Sequence, residues 1–85
     1  MKKFKYVITD PEGIHARPAG MLVKAAKGFT CDIKIAKDGK AMSGKAIFGV
    51  MGLAVKKGEE VTLTFDGADE EAACEAIRKF MQENL

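Results

Sequence analysis

The sequence predicts an α+β fold with the element order β-α-β-β-α-β-α. Three observations carry this reading. Short stretches of alternating apolar and polar residues recur along the chain, stretches with helical spacing separate them, and turn-forming residues mark nearly every junction. The 85 residues hold no repeat, linker or low-complexity tract, so one domain spanning 1–85 is expected. A chain of this size supports one sheet-and-helix layer pair but no deep enclosed cleft, which favours an open surface site over a pocket.

Residues 3–9 place Phe4, Tyr6 and Ile8 on one side of a strand and Lys3 and Lys5 on the other, and Asp10-Pro11-Glu12-Gly13 ends it. From Ala16 to Lys27 the period becomes helical, with Ala19, Leu22, Val23 and Ala26 as the inward stripe and Gly28 as terminator. Pro18 suits the first turn, where N–H groups lack intrahelical partners. Residues 31–37 alternate again and pair through Asp38-Gly39 with residues 40–43. The apolar run 46–55 reads as a short helix with Val50, Leu53 and Ala54 inward, leaving Ile47, Phe48 and Met51 toward solvent. Val61, Leu63 and Phe65 mark a fourth strand. Asp69 is the expected N-cap of a last helix whose buried stripe is Ala73, Ile77, Phe80 and Met81.

The charge is uneven. Residues 1–57 carry 12 Lys/Arg against 4 Asp/Glu, residues 58–85 carry 2 against 8, and the net formal charge is +2. No arginine cluster or exposed aromatic stack accompanies the lysines, so a basic face for acidic proteins or phosphate is favoured over nucleic acid. Cys31 and Cys74 fall in phase with buried positions and outside any metal-ligand spacing. No apolar run reaches membrane-spanning length and no signal-peptide core is present, so a cytoplasmic protein without membrane insertion is expected.

The residues richest in chemistry are Gly13-Ile14-His15-Ala16-Arg17-Pro18-Ala19, which contain the one histidine of the chain. A helix beginning just after His15 offers N–H donors for an anion, and its dipole favours an uncharged, nucleophilic imidazole. Arg17 adds a permanently charged clamp. With no second histidine, nearby cysteine or carboxylate motif, neither a metal site nor a triad is expected, and no cofactor is implied. One imidazole and one guanidinium suit the acceptance and release of a phosphoryl group better than turnover of a small molecule.

This stretch resembles the active-site signature of HPr, the histidine-containing phosphocarrier family of the bacterial sugar phosphotransferase system. Asp38-Gly39-Lys40, residues 45–51 and Gly67-Ala68-Asp69-Glu70 extend the similarity along the chain. The resemblance implies an open-faced β-sandwich, with a four-stranded antiparallel sheet of order 1-4-2-3 and three helices on one face. It implies that Nδ1 of His15 accepts a phosphoryl group from phosphorylated enzyme I and passes it to the IIA domain of a sugar transporter. Arg17 would neutralise the phosphate, the main-chain N–H groups of Ala16 and Arg17 would cap it, and Pro18 would hold the first turn. The implied docking face comprises Gly20, Met21, Lys24, Lys27, Ile47, Phe48 and Met51, an apolar centre in a basic rim suited to acidic partners. A monomeric carrier rather than a stand-alone enzyme is expected, with a regulatory binding module of the same fold as the alternative. Ala46 occupies the position of the regulatory serine found in many relatives, so signalling through that serine is not expected.

Overall fold

The computed structural model describes residues 1–85. Its elements run β1 (Lys2–Val7), α1 (Ala16–Lys27), β2 (Asp32–Lys37), β3 (Lys40–Ser43), α2 (Ile47–Gly52), β4 (Glu60–Asp66) and α3 (Glu70–Asn84). The strands form one sheet of order β1-β4-β2-β3, every neighbouring pair antiparallel. This is the expected fold class, element for element.

The alternation seen in the sequence determines which face each strand buries. Leu63 of β4 stands between Phe4 and Ile35, and Ile35 in turn faces Met42, so one apolar row crosses the whole sheet. The helices cover this face. Ala19, Leu22, Val23 and Ala26 of α1 and Ala73, Ile77 and Met81 of α3 are buried against it, together with Ile33, Val61 and Phe65. Lys3, Lys5 and Lys34 lie exposed on the other face. Cys31 and Cys74 are free thiols inside the core, as their phase predicts. Phe80 is only half-buried, at the edge of the expected stripe.

The β2–β3 turn needs positive φ at two successive positions, and Asp38 (51°) and Gly39 (80°) supply it. Such a turn matches the strand twist and sets the register that pairs Lys37 with Lys40.

Two further details differ from the sequence expectations. Helix α2 ends at Gly52, and Ala54 turns outward with φ 51°, so Ala54 is exposed while Val50 and Leu53 are buried. Asp69 does precede α3, but its side chain makes no helix-capping bond. Its two carboxylate oxygens instead accept the main-chain N–H groups of Thr30 and Cys31, each at 2.8 Å, and tie the start of α3 to the entry of β2. Those donors, Thr30 foremost, hold the Asp69 carboxyl down at about 2. Burial, with Asp69 adding to it, pushes the neighbouring Cys31 thiol up.

Candidate functional site

His15 sits at the N-cap of α1 with extended backbone (φ −92°, ψ −175°) and no capping bond from its ring. The first helical return is Ala19 N–H to the His15 carbonyl at 3.0 Å. Ala16 and Arg17 therefore present two N–H groups with no main-chain acceptor, and Pro18 has none to present. The site is the uncapped end of an amphipathic helix, with its inner face fixed by Pro18 and Ala19, both buried.

The segment leading into His15 is held from two sides. Ile14 N–H donates to the Val55 carbonyl at 3.0 Å. Gly13, at φ 67°, packs so closely against the same strand-free segment that a Cβ would stand 2.2 Å from the Val55 oxygen. From the other side, the Leu85 carbonyl accepts the N–H groups of Thr9 and Asp10 and, at 2.8 Å, the Thr9 hydroxyl. Residues 53–59 are themselves braced. Lys37 Nζ reaches the Ala54 carbonyl and Glu59 Oε1, each at 3.1 Å, and Glu59 Oε1 accepts Lys56 N–H at 2.7 Å. The Lys56 N–H and then the Lys37 ammonium hold the Glu59 carboxyl below the usual range.

The result is an open depression of about 230 Å³. His15, Arg17, Pro18 and Met21 line it from the start of α1, Asp10 from the loop before it, and Glu83 and Asn84 from the end of α3. The His15 side chain is 36% exposed, and its Nε2 lies 3.4 Å from Glu12 Oε2, a contact within ion-pair range. No carboxylate motif around His15 is legible in the sequence. Glu12 was legible only as part of a turn, and its i,i+3 spacing to His15 was the available signal. No group of three or more His, Cys, Asp or Glu side chains is placed to hold a metal ion.

Helices α1 and α2, which carry the residues expected on a docking face, pack against each other, while Met21 and Lys24 also border Phe80 of α3. Phe48 is 86% exposed, and Met21 and Met51 are partly so, with Lys24 and Lys27 exposed beside them on α1. Ile47 departs from the expectation. It is half-buried against the core, and its Cδ1 lies where a Cβ on the half-buried Gly20 would touch it at 3.6 Å. Gly20 and Ile47 thus join the two helices more than they face solvent. Lys45 closes the same junction by donating from Nζ to the Phe29 carbonyl at 2.7 Å. Ala46, the N-cap of α2, is exposed and offers no side-chain cap.

A family model described as the PTS HPr component phosphorylation site matches residues 2–83. The chain belongs to the HPr family. It is 45% identical over 83 residues to the phosphocarrier protein HPr of Lysinibacillus sphaericus, covering 98% of this chain and 94% of that protein. The solved HPr structure from Mycoplasma superposes with a TM-score of 0.94 at 41% identity, over 96% of this chain and 93% of the other. The Bacillus subtilis catabolite-repression protein Crh, described as a swapped, intertwined dimer, superposes at 0.78 with 41% identity, over 100% of this chain and 98% of the other. Its relatives described as HPr are phosphocarriers of the bacterial phosphotransferase system, not stand-alone enzymes. No helix here is long and apolar enough to cross a membrane.

Proposed function

We propose that this chain accepts a phosphoryl group on Nδ1 of His15 from phosphorylated enzyme I and delivers it to IIA domains of sugar transporters. The observation that supports this most is the coincidence at one helix end of a part-exposed imidazole, two unpartnered N–H groups and the Arg17 side chain on a shared open depression. Amide donors and a guanidinium suit the equatorial oxygens of a phosphoryl group in transfer. The depression leaves the ring open to another protein's reacting group, which an enclosed pocket would not.

Met21, Phe48 and Met51 form the apolar centre of the docking face and Lys24 and Lys27 its basic rim, which fits transient contact with acidic partners. Gly20 and Ile47 support that face by joining α1 to α2. The carrier acts as a monomer in the cytoplasm.

Complementation tests the transport role. In a strain lacking its own carrier, this chain restores sugar uptake and His15→Ala does not. The likeness to Crh favours one other reading, a regulatory module of the same fold. Labelling of His15 without restored uptake would select it. Ala46 has no hydroxyl, so regulation through a serine at that position is absent from either reading.

A further inference from the structure

Glu12 Oε2 stands 3.4 Å from Nε2 of His15, the ring nitrogen opposite the one proposed to carry phosphorus. The contact is not incidental to a floppy loop. Glu12 N–H donates to Asp10 Oδ1 at 2.8 Å, and Gly13 N–H returns to the Asp10 carbonyl at 2.9 Å, so the turn presenting Glu12 is closed on itself. The other charged groups on the same depression are Arg17 from α1, Asp10 from the loop and Glu83 from α3. Of these carboxylates and Glu12, Glu12 is the one within ion-pair range of the ring.

We infer that Glu12 is a positioning residue for phosphoryl transfer, its charge beside Nε2 favouring the protonated form of the phosphorylated imidazole so that the ring leaves as neutral imidazole in onward transfer. The inference rests on the reading of His15 as acceptor. In the loading step the Nδ1 lone pair forms the N–P bond, while the bond from phosphorus to the donor breaks and its electron pair leaves with the donor. The ring then bears a positive charge, its proton on Nε2, 3.4 Å from the Glu12 carboxylate. In the unloading step the acceptor's lone pair attacks phosphorus. The N–P pair returns to Nδ1, and the ring is left neutral with the Nε2 proton still in place. Neither step needs a proton delivered from elsewhere. Without the carboxylate, the Nε2 proton of the loaded ring is lost to water more readily as pH rises, and a deprotonated ring is the poorer leaving group.

The test uses the full chain and Glu12→Gln, which keeps the shape and removes the charge. Each is loaded with phosphoenolpyruvate and enzyme I, and transfer to a IIA domain is timed across the neutral and alkaline range. Glu12→Gln should label on His15 and melt with the parent. Its transfer rate should fall at lower pH, leaving it about two- to fivefold slower on the alkaline side, as suits one exposed ion pair. High salt should bring the parent's profile toward the variant's. Superimposable profiles at low salt would overturn the role of Glu12 while leaving the carrier reading intact. Failure of the parent to label would instead overturn the carrier reading.

Discussion

The Val55 carbonyl accepts the Ile14 N–H at 3.0 Å, and through that bond residues 53–59 determine where His15 begins its helix. Gly13 makes the approach possible. With φ 67° and a virtual Cβ 2.2 Å from the same oxygen, it excludes any side chain. Gly13→Ala is expected to cost about 3 kcal/mol, from left-handed strain together with a backbone clash, and to slow phosphoryl transfer. Chemical denaturation and a transfer assay check both. A variant with the parent's stability would show that the loop does not depend on this contact.

Arg17 is exposed beside His15 and makes no ion pair with any carboxylate of the chain. Arg17→Glu is therefore expected to leave the melting temperature within a degree or two while reducing phosphoryl transfer on the order of a hundredfold. A collapse of stability would assign Arg17 to the scaffold.

Ala46 provides a case where stability and docking should part. Its backbone is extended (φ −120°, ψ 108°), as an N-cap requires, but the methyl group caps nothing. Ala46→Asp should stabilise the fold by about 0.5–1 kcal/mol through a new cap. It should also weaken binding to a IIA domain about tenfold, by placing a negative charge beside Phe48 and Met51 opposite acidic partners. Calorimetric titration and thermal melts separate the two effects. Unchanged binding would count against the α1–α2 face.

Asp69 gives the fold an acid limit. Its carboxyl lies at about 2 rather than the ordinary 3.8 because the Thr30 and Cys31 N–H groups favour the charged form. A depressed folded-state value means that its contribution is complete above the unfolded value and is lost as pH falls from about 4 toward 2. Glu59, lowered first by the Lys56 N–H, and Glu70, lowered first by the Met1 ammonium, act with the same sign. Asp69→Asn should lower the melting temperature by several degrees at neutral pH and flatten its fall over that acid range. An unchanged acid limb would show that other carboxylates govern it.

Local pattern made most of this fold legible. The stripe Ala19, Leu22, Val23 and Ala26 is periodic within α1 itself, and Asp38-Gly39 meets a dihedral demand confined to two residues. The misses concern groups whose partners lie far along the chain or in unmatched local geometry. Asp69 reads as a helix cap, yet its oxygens reach Thr30 and Cys31, 39 and 38 residues away. Ala54 was expected inside because a helical period was carried past Gly52, whereas Lys37 and Glu59 draw the chain into a different path. Ile47 was expected in solvent because nothing in its local spacing reveals that Gly20 leaves room for it on α1. At the site, His15 and Arg17 stood out through composition and position, while Glu12 was hidden inside an ordinary turn.

The most direct test is incubation with phosphoenolpyruvate and enzyme I, followed by location of the label. The predicted result is an acid-labile, base-stable phosphate on His15 that is absent from His15→Ala. Equal labelling of His15→Ala would contradict the assignment of that imidazole as the carrier.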